Sequence, residues 1–218
     1  NAKKEFGNAN YLWISYFYSY LNEKGRAGFV MASSATDSSG KDRDIRQKLV
    51  ETGHVDVMVS VGNNFFYTKS LPCSLWFFDK GKSEELQDKV LFLDARNYYT
   101  VVDRTLNEWS EWQLKNLNAI VWLYRGDEEK YTGLIGEYVN RIKSFVSSIV
   151  SFQTGMLSTE MLPDFYREAN AKGHELQQKA DAMETLDDCV EIQQMLEDFL
   201  RLQKIAVTKF APYLEENK

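Results

Sequence analysis

Hydrophobic and polar positions change period several times along the chain. Residues 9–24 repeat at helical spacing through Ile14, Phe17, Tyr18 and Leu21, with Asn8 or Asn10 as cap and Gly25 as stop. Arg26–Ala32 is a short apolar strand running into the polar loop SSATDSSG. Lys41–Thr52 follows as a charged helix whose buried stripe is Ile45, Leu49 and Val50. Val55, Val57, Val59 and Val61 then alternate with His54, Asp56, Met58 and Ser60, which predicts a strand with unequally buried faces. Its return partner, 73–80, carries Leu75-Trp76-Phe77-Phe78, the texture of a strand covered on both sides. After a charged break at Gly81–Asp88, Val90–Ala95 forms one more strand. Ser110 and Gln113 have capping-box spacing ahead of a helix with the stripe Leu114, Leu117, Val121 and Tyr124. Helices alternating with strands in this order predict an α/β sheet with parallel strands, into which the hairpin inserts one antiparallel strand.

From Asp127 onward the pattern is helical alone. Tyr131, Leu134, Ile135, Tyr138, Ile142, Phe145, Val146 and Ile149 form one long amphipathic stripe. Pro163-Asp164 opens a second helix, with an interruption at Gly173. Thr185 with Asp188 starts a third, whose seam is Cys189, Ile192, Leu196, Phe199, Gln203, Ala206 and Phe210. Packing within the chain and docking of a partner helix are both open to such a seam. The division expected is an α/β part, 1–125, and a helical carboxy-terminal region for subunit packing, 126–218.

Composition narrows the chemistry. Hydrophobic content of 44% and charged content of 27% are ordinary for a globular protein. No apolar run reaches the ~20 residues of a membrane span, and no signal peptide opens the chain; with only two cysteines, far apart, a reducing cytoplasm is the location expected. The chain begins with Asn1, which suggests a piece of something longer. Two distant cysteines, Cys73 and Cys189, and two isolated histidines, His54 and His174, offer neither a disulfide framework nor a metal-ligand cluster. Residues 127–218 hold 10 Lys/Arg against 17 Asp/Glu, whereas residues 1–126 hold 16 against 15. A nucleic-acid face therefore belongs to the first part. Gly25-Arg26-Ala27-Gly28 precedes a strand, so it lacks the context of a phosphate cradle. Between the hairpin strands lies the loop Asn63-Asn64-Phe65-Phe66-Tyr67-Thr68, too aromatic for an idle connection.

The segments ANYLWISYFYSYLNEKGRAGFVMASSA, DRDIRQKLVETGHVDVMVSVGNNFFYTKSLPCSLWFFDKGK and VLFLDARNYY, in that order over residues 8–125, resemble the methylation subunit of type I restriction–modification systems. Such subunits are adenine-N6 DNA methyltransferases that use S-adenosylmethionine. The resemblance implies the carboxy-terminal half of a Rossmann-like methyltransferase sheet. Arg26–Ala32 would be its fifth strand, and Asp56–Val61 with Ser74–Asp79 the hairpin closing its far edge, before an α-helical extension. It also implies that an aromatic residue of the 63–68 loop stacks on the extruded adenine, since a base must leave the duplex to be methylated. One of Phe65 and Phe66 would face the base, Phe66 being favoured, and the other would plug the sheet. Many family members carry Ala-Asn-Gly-Ser where this chain has Ala32-Ser33-Ser34-Ala35, so no role of that turn is transferred.

The family's Gly-rich cofactor turn and its Asn-Pro-Pro-aromatic motif do not occur in the 218 residues. No catalytic, cofactor-binding or metal-ligating residue is therefore assigned, and the chain alone is expected neither to bind S-adenosylmethionine nor to methylate DNA. The partners implied are DNA, a specificity subunit and a restriction subunit. The rival reading is a non-enzymatic interaction module whose helical tail pairs with a specificity subunit or with itself.

Overall fold

The computed structural model describes residues 9–154 and 164–215, the side chains of 152–154, 164–165 and 210–215 excepted. The chain divides between Glu128 and Glu129 into two compact units. The first carries α1 (Asn10–Ser19), β1 (Arg26–Ala32), α2 (Ser34–Asp37), α3 (Lys41–Glu51), β2 (Val55–Val61) and β3 (Cys73–Asp79). After a 3-10 turn at Glu84–Leu86 come β4 (Leu91–Ala95), β5 (Thr100–Val101), β6 (Asn107–Glu108) and α4 (Glu111–Arg125). The second contains α5 (Glu128–Thr154), which starts at the junction, α6 (Asp164–Ala182) and α7 (Cys189–Glu215).

The main sheet is mixed, in the order β1-β3-β2-β4. β3 is antiparallel to both neighbours, and β4 lies parallel to β2. The hairpin is present, but it does not close an edge: β4 covers β2 and β1 covers β3. The two faces bury separate cores. Tyr11 and Ile14 of α1, Leu49 of α3, Met58, Trp76 and Phe78 fill one. Val57, Val59, Val61, Cys73 and Ala95 fill the other, beneath Leu117, Val121 and Tyr124 of α4.

β2 departs from simple alternation. Val55 pairs with Phe78 and Val57 with Phe77, so Asp56 is an extra residue in the ladder. The shift turns Val55 to the same core as Met58, while Val57, Val59 and Val61 face α4. With helices on both faces, Asp56 and Met58 are buried as fully as the valines, so the unequal burial expected of the two faces is confined to Ser60, which is exposed. Asp56 is instead neutralised by Arg125 at the end of α4, whose Nε donates to Oδ2 at 3.1 Å.

Helix ends follow local hydrogen bonding. α1 stops at Ser19, with Leu21 N–H closing its end on the Tyr18 carbonyl at 3.2 Å, and beyond it the Asn22 side-chain oxygen accepts from Lys24 N–H at 3.1 Å in a local turn. Its cap position is Ala9, with no side-chain cap bond; Asn10 is already helical, and Asn8 lies outside the described residues. The Ser110–Gln113 capping box forms as expected, and Gly126 ends α4 in the left-handed region at φ 75°. Within SSATDSSG, Ser34–Asp37 makes the short α2.

In the second unit, Val139, Val146, Leu176, Ala180, Ile192 and Phe199 build a core shared by three helices. The α7 seam packs within the chain: Ile192, Phe199 and Ala206 are buried, while Phe210 falls outside the described side chains. Gly173 does not interrupt α6, and Pro163 lies outside the described residues. A Cβ at Gly173 would lie 2.8 Å from the Phe199 ring, so the glycine lets this ring of α7 pack closely on α6. α7 begins at Cys189, because Thr185 spends its hydroxyl on a turn with Asp187. No helix among the described residues is long and apolar enough to cross a membrane.

Candidate functional site

The register of the sheet decides where the aromatic loop stands. Cys73 pairs with both Ala32 and Val61, and Val61 pairs with Ala95. β1, β2 and β4 therefore end at one edge, and residues 62–72 leave from it. In open α/β sheets the carboxyl ends of such strands are where ligands bind.

The loop is built from its root outward. A Cβ at Gly62 would lie 2.5 Å from the Arg96 carbonyl oxygen, so close backbone approach requires glycine there. Of Gly62, Asn63 and Asn64, residue types that tolerate positive φ, Asn64 alone adopts it, at 65°. The Asn64 side-chain oxygen accepts from Ser70 Oγ across the loop. Its carbonyl accepts from Asn107 N–H at 2.7 Å, and the Asn63 carbonyl accepts from Asn107 Nδ2 at 3.0 Å.

The two phenylalanines part at this point. Phe65 is half-buried against the α4-side core, edge-on to Tyr99 at 6.0 Å and tilted on Trp109 at 5.1 Å. Phe66 pairs with Lys69 across a tight turn, leaving Tyr67 and Thr68 at the tip. Phe66 is 39% exposed and Tyr67 90%. Phe66 also edges a cavity of about 480 Å³ whose other walls include Ala32, Ser33, Ser34, Pro72 and Cys73. Asn63 to Thr68 thus lie on one connection, but only Phe66 among them lines the cavity. Sequence reading missed Asn107, Tyr99, Trp109 and Ser70, of which all but Ser70 lie more than 30 residues away and none carries a local signal.

Nearby charges are largely paired. Arg96 grips Asp94 through two nitrogens, at 2.8 and 2.7 Å, and holds its carboxyl down to about 2. Hydrogen bonds from Thr105 lower Asp103. Burial pushes the Cys73 thiol up, so it stays protonated and packs as a small apolar group. His54 sits elsewhere, its Nδ1 2.7 Å from the Tyr18 hydroxyl, and burial followed by the Lys80 charge lowers its pKa. At the opposite end of the sheet, buried Lys82 donates to the Val55 carbonyl at 2.8 Å and to the Lys89 carbonyl. Burial lowers the Lys82 pKa against the opposing pull of Asp56, a packing role.

Gly28 offers no room for a cofactor. A Cβ there would lie 2.9 Å from the Phe77 ring, so the glycine accommodates an aromatic side chain. Among the described residues, no three His, Cys, Asp or Glu side chains group as metal ligands.

The geometry defines a mixed α/β domain with an aromatic hairpin loop at the carboxyl ends of its strands. The chain belongs to the N-6 DNA methylase family, whose model matches residues 2–139. Over 124 residues it is 39% identical to the type I restriction enzyme MjaIX methylase subunit of Methanocaldococcus jannaschii, covering 57% of this chain and 22% of that protein. The MjaVIII methylase subunit of the same organism is 32% identical over 92 residues, covering 42% and 16%. The chain thus spans about a fifth of the length of the curated relatives it matches. A solved methyltransferase subunit of a type I restriction–modification system from Streptococcus thermophilus superposes with a TM-score of 0.48 at 18% identity, covering 52% of this chain and 24% of that one. The resemblance read from residues 8–125 is borne out by the family model and by the two curated methylase subunits.

Proposed function

We propose that this chain is part of an adenine-N6 DNA methyltransferase subunit of a type I restriction–modification system, and that its 63–68 loop captures the extruded adenine. What supports this is the exposed ring of Phe66, held on a hairpin at the carboxyl ends of the strands and edging a cavity. An extruded base loses its stacking, and an aromatic face restores about 1–3 kcal/mol of it. Phe65 anchors the hairpin, Phe66 offers its face, and Asn63, Asn64, Tyr67 and Thr68 shape the connection. S-adenosylmethionine and the groups that hold the target amine belong to other parts of the complete protein, and the chain alone is inactive. The helical unit serves subunit packing, with a specificity and a restriction subunit as partners.

In the complete methylase, Phe66→Ala should lower methyl transfer roughly five- to 150-fold, matching that stacking energy, with cofactor affinity unchanged. A mismatch opposite the target adenine lowers the cost of extrusion and should restore part of the rate. Because Phe66 is already 39% exposed, thermal unfolding should shift little. A variant equally impaired on matched and mismatched duplexes, with a lowered melting temperature, would rule out base stacking.

A further inference from the structure

The aromatic loop is fixed by a residue that it does not contain. We infer that Asn107, on β6, is a positioning residue for this loop, binding two consecutive loop carbonyls and thereby setting where Phe66 stands. Its backbone N–H takes the Asn64 carbonyl at 2.7 Å and its side-chain Nδ2 takes the Asn63 carbonyl at 3.0 Å. Asn107 is only 8% exposed, so water does not compete freely for these bonds. The carbonyls it binds flank the left-handed Asn64, where the chain changes direction into Phe65 and Phe66. The same stretch of chain grips the loop twice more, with Phe65 against Tyr99 and Trp109 and Gly62 beneath the Arg96 carbonyl. β6 is itself held by pairing with β5 and by the Ser110 capping box that starts α4.

The side chain has to donate. An asparagine amide carries N–H groups, whereas an aspartate of the same shape presents only acceptors to the Asn63 carbonyl. Aspartate there would lose the donor and add a buried charge, so it should loosen the loop at least as much as alanine does. What the fixed loop serves rests on the base-stacking proposal above; that Asn107 helps to fix it rests on these hydrogen bonds.

Lys69 is exposed at the end of the turn, so trypsin cleavage after it reports loop opening. In the full chain, Asn107→Ala should speed this cut about two- to tenfold, the loss expected for one hydrogen bond. Asn107→Asp should speed it at least as much, while cuts elsewhere in the sheet unit keep their rates. An Asp variant cut at the wild-type rate, or acceleration shared by every site in the unit, would overturn the inference. In the complete methylase the Ala variant should then lower the rate of methyl transfer with cofactor affinity unchanged. If Phe66→Ala leaves activity intact, base stacking fails, while the cleavage rates still decide whether Asn107 holds the loop.

Discussion

Arg125→Met would remove the partner of the most deeply buried carboxylate among the described residues. Asp56 is 1% exposed, and both the Nε and one terminal nitrogen of Arg125 donate to its Oδ2. Breaking a buried pair from one side leaves an uncompensated charge and costs about 3–5 kcal/mol. Lys82 feels the same carboxylate and supplies some compensation, which places the loss near about 3 kcal/mol. Methionine keeps the aliphatic stem, so little packing is lost with the charge. The assay is unusually clean because Trp13, Trp76, Trp109, Trp112 and Trp122 all lie in the first unit. Tryptophan fluorescence therefore follows the unfolding of the sheet unit alone. With a urea slope of about 1.5 kcal/mol/M, the midpoint should fall by about 2 M. Replacing both partners, as Asp56→Leu with Arg125→Met, should recover most of that loss, because an apolar pair carries no stranded charge. A single-variant shift below about 0.3 M, on the same slope, or a double variant no better than the single, would refute the reasoning.

Gly173→Ala sets two effects against each other. Alanine gains about 1 kcal/mol of helix propensity, but its Cβ would sit 2.8 Å from the buried Phe199 ring, and overpacking costs about 1–3 kcal/mol. A lower helical melting temperature by circular dichroism is expected, and a higher one would deny the close crossing. For His54, burial first and Lys80 second hold the folded pKa below 6.5, so the unfolded chain takes up the proton first. This contribution to stability is complete above about pH 6.5 and is lost as the pH falls through the window below it. Urea midpoints at about pH 7.5 and pH 5.5 should differ in that direction, and His54→Asn should reduce the difference.

Periodicity exposed the elements wherever one rule acted alone. The capping box before α4, the double-sided run of β3 and the amphipathic stripe of α5 each depend on neighbours within a few residues. The alternation of β2 misled because its bulge is set by a partner strand and by Arg125, 69 residues away, which no local pattern encodes. α1 also ends before the spacing would stop it, and the segment up to Gly25 turns locally through Asn22 and Lys24 instead. The α7 seam was legible as a seam, but not its cover. Whether Phe199 meets a partner chain or Gly173 of α6 is a question of tertiary packing, and the heptad spacing is the same in both cases.

The loop shows the same limit at closer range. Three consecutive aromatics after a turn mark Phe65 to Tyr67 as unusual, yet adjacent side chains on an extended segment point to opposite sides, so one of two neighbours is necessarily turned inward. Which one depends on the direction in which Asn64 launches the chain. That direction follows from the positive φ at Asn64 and from Asn107, 44 residues beyond Asn63, holding its carbonyl. Tyr99 and Trp109 then supply the slot that Phe65 enters, and Phe66 is left at the cavity. The aromatic composition announces the capacity to stack, whereas the choice of ring is made by polar backbone groups whose partners come from another part of the fold.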